Sequence, residues 1–191
     1  MPQLLGVLQE YLYQLYYALC SVKHINSCFI HGCGVLKEQT AYLFVGPHQS
    51  GKTTIGRSSG ATVIHDDQIL ISRDGNRFTM DSPPLPARDN LRRHPETVHS
   101  LQRIFMIIKD SAFALYPVAA EAAFAEFYPE VVTPVTLTSN DAGAARRKKA
   151  SFCLEIIKML PFFELHFDRD GAFWQDLSHR PWEYRHEQKP R

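Results

Sequence analysis

No apolar run in this 191-residue chain approaches the ~20 residues that a membrane span needs. Nor does charge of either sign dominate: 21 Lys and Arg stand against 20 Asp and Glu, for a net charge of +1. That balance argues against nucleic acid or an anionic membrane as partner. The start of the chain lacks a basic n-region and a small-residue cleavage site, so no signal peptide is expected. The four cysteines (Cys20, Cys28, Cys33 and Cys153) include no CxxC pair. They are expected to be reduced, buried residues rather than metal ligands or disulfides, in a cytoplasmic protein. There is no internal repeat and no dividing linker. One domain over 1–178 is expected, followed by a polar tail over 179–191.

What remains is a mixed α/β pattern. Residues 3–22 repeat leucine at Leu4, Leu8, Leu12, Leu15 and Leu19, the spacing of a helix packed on the core, the alternative being a membrane-surface or partner helix. Short extended runs follow at 27–32, 33–38 and 41–46, the last two reading as a hairpin across the polar turn 37–40. A brief helix is expected at 52–58. Strands are expected at 61–66 and 68–73, the latter joined to 77–80 by the turn signal Asp74-Gly75-Asn76. The proline-rich, charged stretch 81–96 reads as a long loop. A strand at 100–110, helices at 118–128 and 142–160, a strand at 162–168 and a helix at 172–177 complete the pattern. Cys153, Ile156, Ile157 and Leu160 should form the buried face of the longer helix. The hairpin before the first short helix argues for a mixed β-sheet with flanking helices rather than a purely parallel one.

The segment LFVGPHQSGKTTIGR (43–57) carries the strongest chemical signal. Gly46, four residues, then Gly51-Lys52-Thr53 fits the phosphate-binding loop. Backbone N–H groups must converge on phosphate oxygens, and glycine leaves them uncovered; the following helix turns its positive end to the same anion. Lys52 supplies a mobile cation for the outer phosphates, and Thr53 a hydroxyl for Mg²⁺. A chance match in a chain this long has a probability of roughly 1%, and the flanking strand and helix are both in place. Asp66-Asp67 ends a strand fourteen residues after Lys52. Two adjacent carboxylates are costly unless a cation or proton lies between them. One can hold Mg²⁺ and the other accept a proton from an attacking hydroxyl.

These motifs, in the order IHGCGVL, AYLFVGPHQSGKTT and TVIHDDQILI, resemble the catalytic domain of HPr kinase/phosphorylase and its relatives in the phosphoenolpyruvate carboxykinase-like group. Residues 27–73 carry the specific likeness, and PFFELHFDRDGAFWQDL resembles the end of small stand-alone members. The resemblance implies that Gly46, Ser50, Gly51, Lys52, Thr53 and Thr54 bind the phosphates of ATP or GTP. Thr53 and one aspartate, such as Asp66, would bind Mg²⁺. His31, Asp66 and Asp67 would surround the transferred group. The implied activity is phosphoryl transfer to a hydroxyl of a protein, peptide or small molecule, and the family's hexamers suggest a homo-oligomer. Thr54 stands where the bifunctional enzyme has an acid, His65 where the family tends to a small residue, and the later Glu, Arg and Gly signature is not found between 81 and 140. The alternatives are an inactive nucleotide-binding regulator or scaffold and a nucleotide hydrolase. Arg88, Arg92 and Arg93 read as solvated loop residues or transition-state cations, and Arg146-Arg147-Lys148-Lys149 as a solvated helix surface or a docking site for an acidic partner.

Overall fold

Residues 7–8, 11–12, 14–16, 18–19, 26–58, 60–83, 98–132, 142–167 and 173–179 are described by a computed structural model. Two eleven-residue strands organise it, β1 (Ser27–Lys37) and β6 (His99–Lys109). Both are rich in β-branched, leucine and aromatic residues, and both change partner along their length. The first half of β1 pairs antiparallel with β4 (Gln68–Asp74), from Ser27↔Ser72 to His31↔Gln68. The second half pairs with β2 (Thr40–Val45), from Gly32↔Val45 to Lys37↔Thr40, and with β3 (Thr62–His65). The sequence suggested two runs divided after residue 32. The chain makes one strand instead, which changes partner between His31 and Gly32.

Gly32 is required there. A Cβ on it would lie 2.9 Å from the Phe44 carbonyl oxygen, and its own N–H donates to the Asp67 carbonyl at 3.0 Å. The β1–β2 hairpin turns through Glu38 and Gln39, at φ 50° and 68°, the positive values that a two-residue I′ turn demands.

β2 lies parallel to β6, and β6 parallel to β9 (Phe162–Phe167), while the other pairings are antiparallel. The sheet is therefore mixed. β5 (Arg77–Asp81) joins β4 to β6. Two short strands escaped the sequence reading: β7 (Ala114–Pro117), antiparallel to β9, and β8 (Val131–Val132), which pairs with Phe29 and Ile30 of β1. Two-residue and four-residue strands carry too little pattern to be read locally.

Helical residues between 7 and 19 form α1, followed by α2 (Lys52–Ser58), α3 (Ala120–Glu130), α4 (Ala142–Met159) and α5 (Phe173–His179). One face of the sheet packs Leu43, Ile104 and Met106 against Phe127 of α3 and Phe152, Cys153 and Ile156 of α4. The other packs Phe44, Phe105 and Leu165 against Ile55 of α2 and Phe173, Trp174 and Leu177 of α5. Each such side chain contributes roughly 1.5–3 kcal/mol on burial. Of the face expected for α4, Ile157 is only partly buried, and Leu160, also partly buried, lies just past the helix end. The leucine face of α1 departs from expectation: Leu8, Leu12, Leu15 and Leu19 are exposed, and contact with the sheet is made by Tyr16 on Phe29.

Cys28, Cys33 and Cys153 are buried and free, and burial pushes each thiol up to about 12. Cys20, Arg88, Arg92, Arg93 and the tail beyond 179 lie outside the described residues. Arg146 and Arg147 are exposed, whereas Lys149 lays its ammonium 4.2 Å from the centre of the Tyr128 ring. Among the described residues no helix is long and apolar enough to cross a membrane.

Candidate functional site

Parallel pairing of β2 with β6 brings the loop that follows Val45 beside Lys109, the last residue of β6. The loop closes on itself. The Ser50 amide donates to the Pro47 carbonyl at 3.1 Å, and the Ile55 amide to the Gly51 carbonyl at 3.0 Å, which starts α2. Gly51 adopts φ +108°, and a Cβ there would meet Phe167 at 2.8 Å. A Cβ on Gly46 would meet Ser50 Oγ at 2.9 Å and Ile107 at 3.0 Å. Both glycines are therefore fixed by geometry.

Lys52 is buried, and its ammonium donates back to the carbonyls of Gly46 and, at 3.0 Å, Pro47. Lys109 Nζ donates to the Gln49 carbonyl at 2.6 Å and ties the loop to β6. Ser50 Oγ is buried and meets no hydrogen-bond partner among the described residues, an acceptor and donor still available to a ligand.

A pocket of about 450 Å³ opens over this loop. Of the residues singled out from the sequence, His31, Ser50, Gly51, Lys52, Thr53, Thr54, Asp66 and Asp67 line it; Gly46 instead lines the adjoining cavity and holds Lys52 through its carbonyl. Asp66 is buried and Asp67 partly so. They stand in the tight turn between β3 and β4, and His65 builds that turn. Its Nδ1 accepts from the amides of Asp67 (3.2 Å) and Gln68 (3.1 Å). The His65 imidazole thus has a structural task, holding the backbone of the turn that carries Asp67.

His31 stands at the partner change of β1. Its Nε2 lies 3.6 Å from Asp67 Oδ1, and its Nδ1 makes a 2.8 Å hydrogen bond with Glu130 Oε2. Glu130 carries no sequence signal: it is the last residue of α3, 99 residues from His31. The short strand β8 puts it there, because Ile30↔Val131 pairing sets the residue before Val131 beside the residue after Ile30. Lys109 and His48 also line the pocket without having been foreseen. Lys109 could have been inferred from the strong β6 strand, since parallel strands deliver their carboxyl ends to one edge.

The donor set suits a nucleotide with its metal. The loop backbone around Gly51, a lysine and an orphaned serine hydroxyl fit phosphate oxygens. Thr53 and Asp66 offer the one or two oxygens that Mg²⁺ takes from protein when phosphates supply the rest. No protein-family model matches the sequence, and no curated protein matches it. Among solved structures, the Hpr(Ser) kinase/phosphatase from Coxiella burnetii is similar at 10% identity and a TM-score of 0.46, over 78% of this chain and 93% of that one. What this chain can do is read from its own residues.

Proposed function

We propose that the protein is a Mg²⁺-dependent kinase that binds ATP or GTP and transfers a phosphoryl group to a hydroxyl, acting in the cytoplasm. The observation that carries this reading is the convergence, in one pocket, of the closed glycine loop with Lys52 on one side and His31, Asp66 and Asp67 on the other. Loop amides, Ser50 and Lys52 would hold the phosphates, with Thr54 beyond them. Thr53 and Asp66 would hold Mg²⁺, which neutralises phosphate charge when bound.

Asp67 is the better general base of the two aspartates, because it is the one beside His31. His31 would hold the acceptor oxygen or the departing charge close to Asp67. Glu130 would keep Nδ1 of that ring occupied, so that Nε2 faces the reaction. Lys52 would leave its loop carbonyls for the outer phosphates, and Lys109 would add charge at the loop's edge.

Calorimetry with ATP, ADP and GTP, with and without Mg²⁺, tests the reading. Mg²⁺-dependent binding by the wild type, weakened at least a hundredfold in Lys52→Ala, is the expected result: a lost charge-assisted bond pair to phosphate is worth about 3 kcal/mol or more. Absence of binding by the wild type would overturn it. Binding without transfer to any hydroxyl acceptor would make the protein a nucleotide-binding regulator.

A further inference from the structure

A second cavity, of about 640 Å³, adjoins the loop on the side of α3. It shares Ser50 and Lys109 with the first pocket, so the two adjoin at the loop. Val45, Met106 and Ile108 give it an apolar lining, with Pro129 of α3 opposite. Its carboxylates are Glu126, exposed on α3, and Glu130, whose other contact is His31.

We propose that this cavity seats the body of the phosphoryl acceptor, a small hydroxyl compound with an apolar skeleton and a cationic amino group; the proposal rests on the kinase reading above. Three observations carry it. First, position relative to the phosphates. In a loop of this kind the lysine serves the outer phosphates, while the hydroxyl residues after it serve the metal. Lys52 is held at Gly46 and Pro47, and those two residues line the second cavity, whereas Thr53, Thr54 and Asp66 do not. A molecule there abuts the terminal phosphate rather than the nucleoside.

Second, the wall between the cavities is chemically connected. Glu130 faces the second cavity and holds His31, which faces Asp67 in the first. A hydroxyl projecting past His31 would meet the base. Its oxygen forms a bond to the terminal phosphorus, the bond from that phosphorus to its bridging oxygen breaks, the nucleoside diphosphate leaves with the electron pair, and the hydroxyl proton passes to Asp67. Third, the lining selects the molecule. An apolar floor penalises a sugar-like acceptor whose hydroxyls would lose water without replacement. Glu126, exposed at the rim, favours a cation, Glu130 being held by His31, and the cavity's lysine is turned to the Gln49 carbonyl.

The test follows the methyl resonances of Met106 and Ile108 in the whole chain, with Mg²⁺ and a non-hydrolysable ATP analogue. The probes are L-phenylalaninol and its uncharged counterpart 3-phenylpropan-1-ol. Phenylalaninol should shift both methyls saturably, and the uncharged alcohol should bind about twofold to fivefold more weakly, the scale of an exposed ion pair. Glu126→Gln should erase that difference. Ile108→Trp, at a position 38% exposed, should abolish probe binding while the analogue still binds. Shifts of the same methyls by adenosine alone would overturn the proposal, since the cavity would then hold a base. Analogue binding with no effect of either probe would overturn it too and leave the kinase reading standing. No binding of the analogue at all would instead remove the kinase reading, and the acceptor role with it.

Discussion

Two histidines of this molecule are each bracketed by two carboxylates, and they differ in nearly everything else. His166, on β9, contacts Asp110 Oδ2 at 2.9 Å and Glu164 Oε1 at 2.8 Å, with the Tyr116 ring edge-on. Its partners are its neighbour two residues away and the residue that leaves the adjacent strand β6. His31 contacts Glu130 at the end of α3 and Asp67 in the β3–β4 turn, two segments far apart in sequence, and it opens on the glycine-loop pocket. The first cluster closes upon itself and staples β6 to β9. The second leaves Nε2 in a looser 3.6 Å contact on the side of the pocket, where one hydroxyl could reach both groups. A histidine flanked by acids is therefore not a site by itself; what it faces decides.

The clearest way to break the comparison is at the bases. Asp67→Asn should reduce phosphoryl transfer by about 10²–10⁴-fold, the range for a lost general base, with nucleotide affinity within a few-fold of wild type by calorimetry. The matching change Asp110→Asn should leave transfer unaltered. Equal losses from both would erase the distinction. Next comes Glu130→Gln. Losing one charge-assisted hydrogen bond, about 1.5–3 kcal/mol, should slow transfer roughly tenfold to a hundredfold and shift the pH–rate profile, which a merely structural residue would not do.

Gly51→Ala imposes a side chain at φ +108° against Phe167. It should cost about 1–3 kcal/mol in denaturant unfolding and weaken nucleotide binding, whereas Gly75→Ala, at φ +59° in open space, should cost less and leave binding intact.

The smallest effect belongs to His166. Burial lowers its pKa, but the hydrogen bonds to Glu164 and Asp110, with their charges, outweigh burial and hold it above the usual histidine value. The bond from His166, with the Ser111 amide, holds Asp110 below the usual carboxylate value. A raised folded-state pKa stabilises fully below about pH 6.5 and is lost as pH rises through the folded value. The depressed carboxylate stabilises above about pH 3.8 and is lost as pH falls through its own folded value. His166→Gln should therefore lower Tm by about 2–4 °C near pH 5.5, and the deficit should shrink as pH rises past 7, with transfer unaffected. A deficit growing with pH would contradict the ion-pair account.

Local rules read much of the sheet. The β4–β5 hairpin at Asp74-Gly75-Asn76, the apolar β6 and the α2 span 52–58 all follow from turn chemistry and periodicity. The leucines of α1 show the limit of periodicity: their spacing specifies a helix, yet four of them stay exposed.

The loop from Gly46 to Thr53 and the pair Asp66-Asp67 were determined by the sequence itself. Their residue types sit close along the chain, and their geometry depends on glycine, on a turn and on the next helix, all local. Only the tertiary structure decided that His31 stands where β1 changes partner, that Glu130 meets it from 99 residues away, and that Lys109 closes the loop. Those contacts arise from strand register, including a two-residue strand, β8. Register is set by how buried faces pack across the whole sheet, and no short stretch of sequence contains that information.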